Sequence, residues 1–198
     1  NIDDPLVAAM ASRANARVLT YGEAEGADVR LTELSLDEQA RPRFRLVTPH
    51  GDAVVSMALH GRHHASNAAA AAAVALEAGI GLGEVTDALV AATPRFVHRR
   101  DVQVRADGLL VVDDAYNANP ESMQAALETL VRLGAPRNGA TWAVLGEMRE
   151  LGDDSPELHR ATGRTAAQLG VDHLVVIGDV AAAIGEGARA VDGWAGDC

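Results

Sequence analysis

Apolar positions change their spacing several times along this chain, and each change predicts an element. Asp4 to Ser12 is predicted as a short helix with Pro5 at an early helical position. Ala16 to Tyr21 is a brief apolar strand that stops at Gly22. Val29, Leu31, Leu34 and Leu36 keep the two-residue spacing of a strand except for one extra residue, which predicts an extended segment with a bulge between Leu31 and Leu34. Phe44, Leu46 and Thr48 alternate with Arg43, Arg45 and Val47; Pro49 to Asp52 is a turn, and Ala53 to Leu59 resumes the strand pattern. The stretch is therefore β-rich and built from hairpin-like units.

At Gly61 the period switches. His64 to Ala78 is an alanine-rich helix with Gly79 at its C-terminal cap position, and Gly83 to Ala92 is a second, shorter helix. Thr93-Pro94-Arg95 breaks it, which puts a domain boundary between Ala92 and Arg100 and divides the chain into residues 1–94 and 95–198. In the second part, strands Val102 to Val104 and Leu109 to Asp113 are joined by the turn Ala106-Asp107-Gly108, and strands Trp142 to Leu145 and His173 to Ile177 then alternate with helices Pro120 to Leu133, Pro156 to Leu169 and Val180 to Ala190. That alternation implies an α/β class with a mostly parallel sheet. Ligands bind such sheets at the C-terminal strand ends, here Asp113-Asp114, Gly146-Glu147 and Gly178-Asp179. Neither an internal repeat nor a low-complexity linker interrupts the order.

Composition then excludes several functions. The net charge of −11 argues against sequence-independent nucleic-acid binding. No apolar run is long enough to span a membrane, and the N-terminus lacks a signal-peptide pattern. A single cysteine, Cys198, rules out an internal disulfide and a cysteine-based zinc site, and points to a reducing, cytoplasmic setting. All 17 basic residues are arginine. Chemistry that needs a lysine, such as a Walker-type phosphate clamp or a Schiff base, is closed to this chain by itself.

Four segments hold candidate chemistry. In Gly61-Arg62-His63-His64-Ala65-Ser66-Asn67, the spacing of His63 and His64 to Asn67 places all three on one face of a first helical turn. Imidazole and carboxamide offer both donors and acceptors, which suits a purine edge; helix capping by Ser66 or Asn67 beside exposed histidines is the structural alternative. Arg95, Arg99 and Arg100 flank the boundary, where an arginine either clamps a phosphate on domain closure or makes an interdomain ion pair. In Val111 to Pro120 a strand ends in two acids and runs through a polar loop into a helix; the acids suit ribose hydroxyls, and Asn119 before Pro120 suits a helix cap. Val144 to Gly152 repeats the arrangement, with Ser155 as a candidate cap and His159 in the next helix's first turn, either at the surface or facing substrate.

The order of these segments resembles the Mur ligase family across essentially the whole chain. Asn1, Asp3 and Asp4 match the family's Asn-x-Asp-Asp strand end. Gly61 to Asn67 followed by Ala68 to Ala73 matches its Gly-x-His-Asn-x-x-Asn and alanine-rich helix. Asp113 to Pro120 and Leu145 to Gly152 are similar to the loops of the member that adds D-alanyl-D-alanine, and differ from those of members adding L-Ala, D-Glu or diaminopimelate.

The resemblance implies the end of a central ATPase domain followed by a Rossmann-like C-terminal domain. It implies an ATP-dependent ligase of peptidoglycan precursor synthesis, in which a UDP-N-acetylmuramoyl-tripeptide carboxylate becomes an acyl phosphate that the amine of D-alanyl-D-alanine attacks. Under it, His64 and Asn67 face adenine, with His63 grouped beside them; His64 stands where asparagine is commoner. Arg99 is the catalytic residue and approaches the ATP phosphates, Asp114 holds the ribose hydroxyls, and Tyr116, Asn117 and Asn119 lie near phosphates and dipeptide. Magnesium, a carbamylated lysine and the glycine-rich phosphate loop are expected upstream of Asn1, and the last domain is expected to continue past Cys198. The chain alone is expected to be inactive, with no metal site of its own, and the enzyme to be a monomer. The alternatives are another Mur-type ligase such as folylpolyglutamate synthase, or a non-catalytic nucleotide-binding module.

Overall fold

A computed structural model of the chain describes residues 1–93, 101–137 and 139–198. It divides into two compact units, Asn1–Thr93 and Pro94–Cys198. The proposed breaker Thr93-Pro94-Arg95 and the arginines Arg95, Arg99 and Arg100 fall wholly or partly outside the described residues.

The first unit opens with α1 (Pro5–Ala9), whose N-cap Asp4 accepts from the N–H groups of Leu6 and Val7 and which runs on as a 3-10 turn over Met10–Arg13. Four strands follow in the order β1 (Tyr21–Gly22), β2 (Val29–Leu36), β3 (Pro42–Thr48) and β4 (Gly51–Ser56). β1 pairs with β2 in parallel, and β2–β3–β4 is an antiparallel meander. The bulge in β2 lies between Thr32 and Ser35, with Glu33 at φ 54°. Two strands are shorter than their apolar runs. The run before Tyr21 stays out of the ladder, where the Thr20 N–H is taken by the Asp28 carboxylate. The chain leaves β4 after Ser56 to reach the 37–41 turn, where Gly61 N–H donates to Ala40 and the His60 ring bonds Gln39.

α2 (His63–Glu77) lies on this sheet and α3 (Leu82–Val90) packs on β4. The buried face of α2 is made of Ala65, Ala68, Ala69, Ala72, Ala73 and Leu76, set against Val29, Leu31, Phe44, Leu46 and Val55. Alanine has the highest helix propensity and the smallest apolar side chain, so this helix forms readily and sits close to the strands.

The second unit contains a β-hairpin, β5 (Asp101–Val104) and β6 (Leu110–Asp113), turning at Gly108 with φ 86°. α4 (Pro120–Gly134) follows, then β7 (Trp142–Leu145), α5 (Ser155–Gln168), β8 (His173–Val176) and α6 (Ala182–Arg189). β7 and β8 pair in parallel across the α5 crossover, and the core gathers Leu127, Ala143, Ala166, Ala167, Val171, Leu174 and Ala188. The parallel pairing is thus between β7 and β8, while β6 pairs antiparallel with β5 in a separate two-stranded sheet.

α5 and α6 touch through glycine. A Cβ on Gly163 would sit on the carbonyl of Ile184, and one on Gly187 on the carbonyl of Arg160. Among the described residues no helix is long and apolar enough to cross a membrane.

Candidate functional site

In the first unit the candidate residues cluster at the start of α2. Gly61 turns the chain with φ 114°, and Arg62 precedes the helix in helical conformation without a side-chain cap. Capping by Ser66 or Asn67, one of the two sequence alternatives, is therefore absent. His63 and His64 are half-buried with ring centroids 4.0 Å apart, and Asn67 is exposed one turn on, on their side of the helix.

Local chemistry fixes this helix start. Arg62 donates through Nη2 to both Glu23 carboxylate oxygens, at 2.8 and 2.7 Å. The N–H groups of Glu23 and Ala24 donate to the two oxygens of Asp3, at 2.7 and 2.9 Å. A Cβ on Gly22 would meet the Asp3 carboxylate at 2.6 Å, so the close approach requires glycine. Asp4 caps α1, while Asp3, through Glu23 and Arg62, ties the N-terminal segment to the start of the histidine-bearing helix.

In the second unit Asp113 and Asp114 close β6. Because β6 runs antiparallel to β5, they do not occupy the C-terminal end of a parallel strand; that placement belongs to Gly146-Glu147 and Gly178-Asp179 after β7 and β8. Asp113 accepts from the Ala115 N–H at 3.2 Å, and both acids are partly buried. Tyr116 is 59% exposed. Asn117 Oδ1 accepts from the Ala118 N–H at 2.9 Å. Asn119 forms a capping box at the start of α4: its Oδ1 accepts from the Ser122 N–H at 2.8 Å, and Ser122 Oγ accepts from the Asn119 N–H at 3.0 Å. A groove beside this helix start is lined by Pro120, Glu121 and Gln124 of α4 and by Leu158, Thr162 and Thr165 of α5.

Against the loop after β7 lies a residue of α5 whose surroundings the sequence did not reveal. His159 is fully buried, neither at the surface nor facing a ligand. Its Nε2 accepts from the Met148 N–H at 2.9 Å and its Nδ1 contacts the Ser155 carbonyl at 2.6 Å, which sets a neutral ring with the proton on Nδ1. The signal lay in the period of α5: His159, Thr162, Gly163, Ala166 and Ala167 form one helical stripe, and all five are buried. Among the described residues, no three metal-ligating side chains come together.

Arg99 lies outside the described residues. The structure therefore brings His63, His64 and Asn67 together in one unit and Asp114, Tyr116, Asn117 and Asn119 in the other.

Comparison with known proteins matches both units. A model for the Mur ligase middle domain covers residues 1–75, and one for the Mur ligase, glutamate ligase domain covers residues 98–196. The chain is 47% identical over 180 residues to the UDP-N-acetylmuramoyl-tripeptide–D-alanyl-D-alanine ligase of Mycobacterium tuberculosis, covering 90% of this chain and 35% of that protein. It therefore spans about a third of the length of that relative. A crystal structure of MurF from Acinetobacter baumannii superposes with a TM-score of 0.84 at 36% identity, covering 94% of this chain and 39% of that one. MurF from Thermotoga maritima, solved in complex with ADP, superposes with a TM-score of 0.76 at 26% identity, covering 92% of this chain and 40% of that one. With one domain model spanning half of the sequence and a second matching the unit before it, the chain belongs to the Mur ligase family.

Proposed function

We propose that this chain is part of an ATP-dependent ligase that joins D-alanyl-D-alanine to UDP-N-acetylmuramoyl-tripeptide through an acyl phosphate. The observation that carries the reading is the likeness to the Mycobacterium tuberculosis ligase, which covers nine-tenths of the chain and so extends over both units. The first unit, residues 1–94, is read as the end of the ATP-binding domain, and residues 95–198 as the Rossmann-like ligase domain.

In this reading His63, His64 and Asn67 meet the purine, whose edge alternates donors and acceptors as their side chains do. Asp114 accepts from the ribose hydroxyls, and Arg99 forks onto the phosphates. Tyr116, Asn117 and Asn119 take the peptide side. The Oδ1 atoms of Asn117 and Asn119 already accept backbone N–H groups, so what these two offer a ligand is chiefly their amide donors, which suit phosphate or carboxylate oxygens. Magnesium is assigned to residues outside this chain, and the whole enzyme is read as a cytoplasmic monomer.

The test uses the full-length protein with ATP, the UDP-linked tripeptide and one acceptor at a time. Phosphate release that depends on both substrates, with a product heavier by the dipeptide less water, is the expected result. Equal release with L-alanine or D-glutamate as acceptor would reject the assignment of substrate.

A further inference from the structure

The Gly146 to Gly152 loop has features that the fold alone does not require. It leaves the C-terminal end of β7 in the parallel β7–β8 pair, the edge at which open α/β sheets take ligands. From Gly146 to Leu151 it has no helix or strand. It holds a non-glycine residue, Glu150, in the left-handed region at φ 63°, followed by Gly152 at φ 60°. Such backbone persists only where the surroundings hold it, and it gathers at functional sites. The loop shows solvent the charged side chains of Glu147 and Arg149, paired at 2.7 Å, while the Met148 side chain turns into the core and is 2% exposed.

Both nitrogens of one buried ring serve this arrangement. His159 receives the Met148 N–H at Nε2 and anchors Nδ1 on the Ser155 carbonyl within its own helix. A core position filled for volume alone would take leucine or phenylalanine; an imidazole here provides an acceptor aimed at a loop amide with no backbone partner of its own. Glu147 and Arg149 flank that pinned amide on either side, so their positions depend on the bond.

We propose that His159 is a positioning residue which, through Met148, holds the 146–152 loop in the conformation that receives the amine-bearing dipeptide substrate. The inference rests on the ligase reading above, because that reading supplies the dipeptide. His159 itself touches no substrate and transfers no proton in this role.

Three variants separate positioning from bulk packing. Glutamine can place an acceptor near Nε2, asparagine reaches only the Nδ1 position, and phenylalanine fills the volume with no polar atom. In the full-length enzyme, His159→Asn and His159→Phe should raise the KM for D-alanyl-D-alanine by about 10-fold, the scale of one lost hydrogen bond, with the KM for ATP moving less than about twofold. His159→Gln should recover most of the loss. A second readout needs no turnover: amide exchange at Met148 should be slow in the wild type and in His159→Gln, and fast in the other two.

A rank order that follows side-chain apolarity, with phenylalanine closest to wild type, would overturn the inference. So would a Met148 amide that exchanges freely in the wild type. A wild-type enzyme that shows no dipeptide-dependent phosphate release would defeat the ligase reading instead, and Met148 exchange across the variants would still decide whether His159 positions the loop.

Discussion

Gly163→Ala adds a single methyl group that should loosen the second unit. The Cβ it introduces would land on the Ile184 carbonyl oxygen, 2.8 Å from the carbonyl carbon and 2.9 Å from the Ala188 nitrogen. All three obstacles are backbone atoms of α6, so no rotamer change relieves them. Reaching ordinary contact distance requires α5 and α6 to part by on the order of 1 Å, which forfeits roughly a quarter to a half of the dispersion energy of the pairs between them. The residues affected, Ala166, Ala167, Ile184 and Ala188, are all buried. Overpacking of this kind costs about 1–3 kcal/mol, and a rigid obstacle puts Gly163 at the upper end. Alanine returns up to about 1 kcal/mol of helix propensity, leaving a net loss of roughly 2 kcal/mol.

Both tryptophans of the chain, Trp142 and Trp194, lie in the second unit, so their fluorescence reports its unfolding separately from circular dichroism of the whole chain. With a urea m-value near 1 kcal/mol/M for about 100 residues, the fluorescence midpoint should fall by roughly 2 M. Gly83→Ala is the matched control. It sits in α3 of the first unit with nothing within 4 Å of the added Cβ, and should leave the fluorescence transition in place while stabilising its own unit by a few tenths to about 1 kcal/mol. An unchanged or higher fluorescence midpoint in Gly163→Ala would show that α5 and α6 do not meet through backbone, and would refute their close packing at Gly163.

Acid should weaken both units by one mechanism. The Thr20 hydroxyl and then its N–H hold the Asp28 carboxyl below its ordinary range, and the Thr141 N–H and then its hydroxyl do the same for Asp172. A lowered folded-state value gives stability that is present above about pH 4 and is lost as the pH falls through the folded values; acid titration of unfolding midpoints should show that loss, and Asp172→Asn should reduce it in the tryptophan-bearing unit. Thr141→Val should cost that unit about 1 kcal/mol in urea unfolding, through loss of the hydroxyl bonds. Asn119→Ala should cost about 1 kcal/mol as a lost helix cap while Asn119→Asp retains most of it, so a peptide-substrate KM that rises in both variants would assign the amide donor to the ligand. Arg99→Ala in the full-length enzyme should lower kcat by about 10²-fold with little change in the KM for ATP, Arg99→Lys should not rescue it, and Arg100→Ala is the control; equal, mild losses at both positions would reject the clamp.

What the sequence revealed follows the range of the interactions involved. Trp142–Leu145 and the helix from His63 to Glu77 were legible because a strand's alternation, an alanine run and a terminal glycine are local signals. The bulge in β2 could be read because one inserted residue breaks a two-residue period. The start of β1 and the end of β4 could not, since they are set by groups elsewhere in the chain, the Asp28 carboxylate and the backbone carbonyls of the 37–41 turn. The pairing of β5 with β6 was legible too, because the turn Ala106-Asp107-Gly108 joins two short apolar runs. What stayed hidden was that β6 would not also join the parallel pair β7–β8, since nothing local in Leu109 to Asp113 specifies a partner beyond the turn. At the candidate site, residue types that suit a nucleotide were visible at His63, His64, Asn67 and Asp114. The role of His159 depended on where the 146–152 loop returns, a contact with Met148 that periodicity alone does not place.

The Thr–Asp clasps show how the site edge is set from the opposite end of the sheet. Thr20 and Asp28 stand one residue before β1 and β2, and Thr141 and Asp172 stand one residue before β7 and β8. In each pair the carboxylate accepts both the threonine N–H and its hydroxyl proton, and the threonine oxygen accepts the aspartate N–H at 3.0 Å. Parallel strands lack the tight hairpin that fixes an antiparallel register, so something else must specify which residues align. A reciprocal clasp does so, because it closes only when its two residues sit opposite each other. A slip of β7 by one residue against β8 would turn Ala143 out of the core and Trp142 into it. It would also carry Gly146 about 3.3 Å along the strand direction, more than the Met148–His159 bond could follow. The clasp at the start of the strands therefore fixes the position of the loop at their ends.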